Sequence, residues 1–154
     1  MDIALTIWTI GYSESSIDRL IDVLMGYGIQ LIVDVRRWPR SRIAGYDRDD
    51  LEYRLNSKGI SYLWMGGELG GYRSGGYEKH VESICFKEAI SKLIEIASST
   101  RLCILCLESD PRRCHRRFIA EALIERGVEV IHIILKRKSL SEERVKYKDA
   151  KSLE

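Results

Sequence analysis

Short apolar runs alternate along the chain with longer stretches in which apolar residues recur at helical spacing. The short runs are rich in Ile, Val and Leu and predict five β-strands, over residues 3–10, 31–35, 60–65, 102–107 and 128–135. The longer stretches predict four helices, from residue 15 or 16 to about 25, and then over 47–58, 86–97 and 111–126. This alternation predicts an α/β fold, a three-layer sandwich with helices on both faces of a mostly parallel sheet.

Two local features mark the step from the fourth strand to the fourth helix. Residues 102–107 (LCILCL) form a near-continuous apolar run, which is typical of a strand buried on both faces. Ser109-Asp110-Pro111 then supplies a side-chain cap and a proline at the first helical position, where its missing N–H group costs nothing. We therefore predict that the helix begins directly after Asp110.

Composition limits the chain to one sizeable core. Its 154 residues are 45% hydrophobic and 31% charged, which predicts a single α/β domain over residues 1–135. Residues 136–154 are dominated by charge and predict a solvated helix or a frayed tail. No apolar run approaches the roughly 18 residues of a membrane span, so we expect a cytoplasmic protein without membrane contact. The scarcity of Asn and Gln beside abundant charge is typical of thermophile proteins.

Arginine is concentrated after two of the predicted strands. The 25 Lys and Arg residues nearly balance 23 Asp and Glu, yet eight of the sixteen arginines fall within residues 36–42 and 112–117. Loops that follow parallel strands meet at one edge of the sheet, where ligands bind. Arginine suits two-pronged contact with phosphate or carboxylate, so the sequence predicts an anion pocket at this edge. The alternative is that Asp34, Glu108 and Asp110 neutralise these arginines within the protein.

The second arginine run lies beside two cysteines and a histidine. Cys106 falls at the end of the fourth strand, with Cys114 and His115 in the first turn of the next helix. A helix N-terminus and nearby arginines favour a reactive thiolate, with His115 as base or acid and Glu108 as its partner. Other interpretations are packing of buried thiols, a reversible disulfide between Cys106 and Cys114, or a metal site that includes Cys103. Strand alternation disfavours the metal site, because Cys103 and Cys106 point to opposite faces.

A glycine-rich segment, residues 66–76, follows the third strand. It holds six of the chain's twelve glycines and lacks the lysine of a Walker loop. We interpret it as a segment that approaches a ligand closely or closes over the site. Trp38, Trp64, Tyr72 and Tyr77 offer aromatic faces for base stacking nearby.

Several short motifs together resemble a known family, the domain of unknown function numbered 488. They are Thr9-Ile10-Gly11-x-Ser13, Asp34-Val35-Arg36, Pro39-Arg40-Ser41-Arg42, Leu69-Gly70-Gly71, Cys106-x-Glu108-x-x-Pro111-x-x-Cys114-His115-Arg116 and His132-Ile133. The resemblance extends to about residue 135 and implies a compact α/β domain, but the family has no settled biochemical role. It usually has histidine where this chain has Tyr12, so we expect hydrogen bonding or stacking at that position rather than imidazole chemistry.

These observations lead to the hypothesis of a small enzyme that acts on a nucleotide, a nucleic-acid component or another phosphorylated molecule. The expected anion-binding residues are Asp34, Arg36, Arg40, Ser41, Arg42, Gly70, Gly71 and Arg116, and the first-strand motif contributes Gly11, Tyr12 and Ser13. The expected catalytic residues are Cys106, Glu108 and His115, with Cys114 as a supporting or resolving thiol. No metal is assigned, and the sequence identifies no cofactor and no oligomeric state. The alternatives are a non-catalytic nucleic-acid-binding module and a thiol-redox or metal-binding protein.

Overall fold

A computed structural model describes residues 5–145 of the chain. Six strands and six helices follow one another, with one short 3₁₀ turn at Pro111–Arg113. The strands are β1 (Thr6–Gly11), β2 (Leu31–Asp34), β3 (Ser61–Trp64), β4 (Leu102–Cys106), β5 (Glu129–Lys136) and β6 (Ser139–Val145). The helices are α1 (Ile17–Gly26), α2 (Arg48–Ser57), α3 (Gly66–Leu69), α4 (Tyr77–His80), α5 (Ile84–Ala97) and α6 (Arg116–Glu125).

The strands form one sheet in the order β3-β2-β4-β1-β5-β6. Five of them run parallel, and β6 runs antiparallel to β5. The predicted α/β fold with a mostly parallel sheet is therefore confirmed. Alternate residues of the central strands enter two separate cores: Ile104 packs with α5 and α6, whereas Cys103 packs with α1 and α2. Burial on both faces explains why β4 is apolar at every position.

The sixth strand corrects the prediction for the end of the chain. Ser139–Val145 was expected in a solvated helix or frayed tail, but it pairs with β5 from Val130 to Lys136. This edge strand is exposed along nearly its whole length, so it shows no apolar alternation and depends on backbone pairing. The rest of that prediction, residues 146–154, lies outside the described residues.

The step from β4 to α6 also differs from the prediction. The cap works as expected, because the Asp110 carboxylate accepts a hydrogen bond from the Arg112 N–H at 3.0 Å. The chain leaves the helical conformation at Cys114, however, with φ −127° and ψ 148°, and α6 begins only at Arg116. Cys114 and His115 therefore stand just before the helix rather than in its first turn.

The glycine-rich segment is more ordered than its composition indicates. It contains the single-turn helix α3 and leads directly into the single-turn helix α4, and the apolar pattern predicted neither of them. None of the helices within residues 5–145 is long and apolar enough to cross a membrane.

Candidate functional site

A cavity of about 320 Å³ lies beyond the carboxyl ends of β1, β2 and β4. These strands are neighbours in the sheet, so the loops that follow them converge here. The glycine-rich segment closes the remaining side. The cavity is lined by Tyr12, Arg36, Arg37, Trp38, Arg40, Gly71, Tyr72, Tyr77, Cys106, Leu107, Glu108, Arg113, Cys114 and His115. Residues from both arginine runs and from the cysteine motif thus line one cavity.

Cys114 and His115, which both line the cavity, form a thiol–imidazole pair. The Cys114 Sγ atom lies 3.8 Å from Nδ1 of His115, and Nε2 of the same ring lies 3.3 Å from the Val35 carbonyl oxygen. A carbonyl oxygen only accepts hydrogen bonds, so Nε2 carries a proton and Nδ1 is free to take one from sulfur. The arrangement can therefore convert a thiol and a neutral imidazole into a thiolate and an imidazolium.

The surroundings of the two cavity thiols, Cys106 and Cys114, shift their pKa values in opposite directions. The neighbouring Cys106 thiol is the largest cause of a lowered pKa at Cys114, and His115 and the Arg116 backbone N–H add to it against the effect of burial. Burial raises the pKa of Cys106, and the adjacent Cys114 raises it further. The thiolate of this pair is therefore Cys114, the cysteine nearer to the N-terminus of α6.

Two glycines of the family motifs permit close approach at this site. A Cβ atom on Gly11 would stand 1.7 Å from the Glu108 carbonyl oxygen, so β1 can contact the turn after β4 only without a side chain there. A Cβ atom on Gly71 would stand 3.2 Å from Nδ1 of His115. Gly70 is buried against Arg37 and does not line the cavity. Gly11 and Gly71 therefore allow the loops that carry them to pack closely against the turn after β4 and against His115.

Three arginines give the cavity its positive charge. Arg37, Arg40 and Arg113 line it, and within residues 5–145 no carboxylate lies within 4.0 Å of their guanidinium nitrogens. Arg37 is fixed by donating to the Tyr72 carbonyl at 2.7 Å, whereas Arg40 and Arg113 are exposed. Glu108 is the one acidic residue of the lining. Positive charge without matching carboxylates favours an anionic ligand.

Arg36 is already neutralised by Asp34, as the alternative interpretation of the arginines expected for this residue. Both are buried, and the guanidinium donates to the two carboxylate oxygens at 2.9 and 2.8 Å. Its remaining nitrogen donates to the Tyr46 carbonyl at 2.7 Å and to the Tyr12 hydroxyl at 3.3 Å. Arg36 thus lines the cavity, but all three of its guanidinium nitrogens already donate hydrogen bonds to protein groups. Tyr12 takes the hydrogen-bonding role expected of it.

Arg116 is fully buried and does not line the cavity. It donates to the Glu108 and Ser109 carbonyls at 3.1 and 2.8 Å and to the Thr9 hydroxyl at 3.0 Å. Its Nε atom is buried with no hydrogen-bond partner among the described residues. Arg116 thus stabilises the turn after β4 through hydrogen bonds to its carbonyl groups. Its charge also partly offsets the rise in the pKa of Cys106.

The remaining expected residues lie outside the lining. The Ser41 backbone N–H donates to the Asp47 carboxylate at 2.6 Å in the turn before α2, and Arg42 is exposed nearby. Ser13 lines a different depression, beside Glu14 and α1. Sequence reasoning did not assign Arg37 or Arg113 to the site, because nothing in the two arginine runs distinguishes the members that face the cavity.

Cys103 is separated from the cavity thiols by the sheet. It packs in the core beneath α1 and α2, whereas Cys106 and Cys114 pack with α5 and α6. Residues 5–145 contain no group of three or more His, Cys, Asp or Glu side chains arranged to hold a metal ion.

Arg116 connects the site to a buried histidine on β5. The Thr9 hydroxyl that accepts from Arg116 lies 2.5 Å from Nδ1 of His132. Burial, and then the charge of Arg116, lower the pKa of His132 from 6.5 to about 4. His132 is therefore neutral in the folded protein at neutral pH.

This shift predicts an acid-sensitive fold. Because the unfolded chain binds a proton at His132 more readily than the folded protein does, stability should fall as the pH drops from 6.5 to about 4. The expected loss is roughly 3 kcal/mol in the free energy of unfolding, at about 1.4 kcal/mol per pKa unit. Urea unfolding across this range measures it. The variant His132→Gln should show a flatter pH profile, and an identical slope in both proteins would contradict this assignment.

Comparison with known proteins gives the family. A family model described as "Domain of unknown function DUF488" matches residues 16–123, which include β2, β3, β4 and the cysteine motif. The α/β domain described here thus belongs to the DUF488 family. No curated protein and no solved structure matches the chain.

Proposed function

We propose that this protein is an enzyme that binds an anionic substrate in the cavity and attacks it with the Cys114 thiolate. The substrate class is a nucleotide, a nucleic-acid component or another phosphorylated molecule. The observation that supports this proposal is that a thiol–imidazole pair, Cys114 and His115, lines the same cavity as three arginines without carboxylate partners among residues 5–145. Both features are needed for a nucleophile that acts on an anion.

The two cysteines exchange the roles that the sequence analysis gave them. We assign the nucleophile to Cys114, because its pKa is lowered and it lies beside Nδ1 of His115. Cys106 then becomes the supporting thiol, since it is the largest cause of the lowered pKa of Cys114, and its own Sγ donates to the Glu108 carbonyl at 3.9 Å. In the proposed reaction, the imidazolium of His115, which holds the proton taken from Cys114, returns a proton to the leaving group.

The arginines at the mouth of the cavity hold the anionic group of the substrate. Arg40 and Arg113 are exposed and line the cavity, so they can approach a phosphate from opposite loops without breaking an existing ion pair. Arg37 contributes charge from a fixed position, since it already donates to the Tyr72 carbonyl. The volume of about 320 Å³ lies at the small end of the range for small-molecule sites.

Substitution of these arginines tests the proposal by binding alone. We expect Arg40→Ala and Arg113→Ala each to weaken binding of inorganic phosphate or a nucleoside monophosphate by roughly tenfold or more, because each removes a charge-assisted hydrogen bond. Isothermal titration calorimetry at fixed ionic strength measures the change. Arg117→Ala is the matched control, because Arg117 belongs to the same run but does not line the cavity. Equal losses in all three variants, or no binding by the unaltered protein, would refute the proposal.

A nucleic-acid-binding module is the second candidate, and one observation favours it. Trp38 and Tyr72 are 61% and 84% exposed, and their ring centroids lie 5.5 Å apart at the cavity mouth. Tyr72 also holds a positive φ of 59°, which is costly for a residue other than glycine. Such exposed rings could stack on bases beside the arginines. Oligonucleotide binding that weakens steeply with salt and is unaffected by Cys114→Ser would favour this module over the enzyme.

The state of the cysteines also bears on where in the cell the protein is found. All four cysteines are free, which fits a reducing compartment, and we propose the cytoplasm.

A further inference from the structure

We propose that Cys114 and Cys106 form a reversible disulfide, and that a hydroperoxide that enters the cavity is the oxidant. The disulfide would remove the nucleophile and switch the site off until a dithiol reduces it. This inference rests on the proposed function in one respect, namely that Cys114 is the reactive thiol.

The fold brings these two thiols together from either side of one turn. Cys106 is the last residue of β4. Cys114 follows the 3₁₀ turn Pro111–Arg113 and has an extended backbone. Both side chains pack in the same core and line the same cavity, and the Cys106 thiol lies beside the Cys114 sulfur. A disulfide between them would close a short loop at the edge of the sheet.

The two positions differ in the way that a two-step oxidation requires. Both cysteines line the cavity, but Cys114 is 8% exposed whereas Cys106 is fully buried. A small peroxide from the cavity therefore meets the Cys114 thiolate first, and the Cys106 thiol lies in the same cavity and core. Low-pKa cysteines poised beside a resolving thiol are the usual sites of reversible oxidation.

The chemistry balances without any further reactant. The Cys114 thiolate attacks the terminal oxygen of the hydroperoxide, the O–O bond breaks, and the cysteine becomes a sulfenic acid, while the other oxygen leaves with the electron pair as alkoxide, or as hydroxide when the oxidant is hydrogen peroxide. The Cys106 sulfur then attacks the sulfenic sulfur, forming the S–S bond and releasing water after its own proton is transferred. Two electrons pass from the thiol pair to the peroxide, and an external dithiol returns them by exchange.

The other two cysteines make suitable controls. Cys103 lies in the core on the opposite face of the sheet, and Cys85 is exposed on α5. Neither lines the cavity. A non-specific oxidation of this protein would therefore modify Cys85 first.

Intact-mass measurement after treatment with hydrogen peroxide tests the proposal. The unaltered protein should lose two hydrogen atoms, regain them with dithiothreitol, and yield a peptide that links Cys106 to Cys114. Cys106→Ala and Cys106→Ser should instead gain one oxygen atom at Cys114, trapped by dimedone. Cys114→Ser should show neither change, and Cys85→Ser should behave as the unaltered protein. Thermal unfolding checks that each variant is folded, and two substitutions at position 106 guard against a packing defect.

Two outcomes would overturn the proposal. One is oxidation that adds oxygen to the unaltered protein without linking the two cysteines. The other is loss of two hydrogen atoms that persists in folded Cys114→Ser. If the reduced protein still binds phosphate and Cys114 still reacts with iodoacetamide, the proposed function survives and only the disulfide is refuted. If Cys114 reacts with neither hydrogen peroxide nor iodoacetamide, both the disulfide and the proposed function are refuted.

Discussion

Substitution of Cys114 by serine is expected to remove the fast component of alkylation by iodoacetamide at mildly acidic pH. A thiol with an ordinary pKa near 8.5 loses about tenfold in thiolate for each pH unit below that value. The pKa of Cys114 is lowered by Cys106, His115 and the Arg116 N–H, so its thiolate persists and its rate falls only below the lowered pKa. The alkylation rate should therefore stay nearly constant between about pH 8 and pH 6.

The same experiment separates the two cavity thiols. Cys106→Ala should retain a reactive cysteine, although its pH profile should move toward higher pH because the first cause of the lowered pKa has been removed. His115→Gln should move the profile in the same direction, since it removes the ring that accepts the proton. Mass spectrometry identifies the alkylated residue. If alkylation moved instead to Cys106 in the unaltered protein, the assignment of the nucleophile would be wrong.

The convergence of the arginine runs and the cysteine motif at one edge of the sheet could be predicted from the sequence, but the roles of the two cysteines could not. Parallel strands deliver the loops after β2 and β4 to one edge, and this topology follows from the apolar pattern. The role of each thiol depends on where α6 begins, and the cap at Asp110 predicted a start five residues before Arg116. The backbone at Cys114 is extended between the 3₁₀ turn and α6, although its N–H and carbonyl groups bond only to Pro111 and Arg117, and the apolar pattern did not predict this break.

The arginines show a similar limit. Arg36 and Arg116 are as polar in the sequence as Arg40 and Arg113, yet the first two are buried. Their partners include the carbonyls of Tyr46, Glu108 and Ser109, and every residue carries a carbonyl. The sequence therefore predicted a concentration of arginine at this edge but not which guanidinium groups face the cavity.

The fold was more predictable than the site, and β6 shows why. Strands β1, β2, β4 and β5 are buried on both faces, so their residues are apolar almost throughout and each run is visible in the sequence. Residues 139–145 are mostly polar, and nearly all of them, including Leu140, are exposed to solvent. Their pairing depends on backbone hydrogen bonds to β5, which residue type does not reveal.

Substitution of Asp34 by alanine is expected to destabilise the fold by about 3–5 kcal/mol, because it leaves the buried Arg36 guanidinium without its counter-charge. Burial alone lowers the pKa of Arg36, and the hydrogen bonds and charge of Asp34 reverse that effect. The carboxylate also accepts a hydrogen bond from the Tyr62 hydroxyl at 2.6 Å, which ties β3 to β2. A loss of this size is a large share of the roughly 5–15 kcal/mol that stabilises a typical domain.

The chain provides a matched control for this effect in Asp50, which pairs with Arg54 at 2.9 Å on the surface of α2. Both partners there are more than 40% exposed, so water replaces the lost contact and Asp50→Ala should cost less than about 1 kcal/mol. Urea unfolding at neutral pH measures both variants with the same change of residue. Equal losses would show that the buried pair contributes no more than a surface pair, and Arg36 would then be free to bind an anion in the cavity, contrary to the site described above.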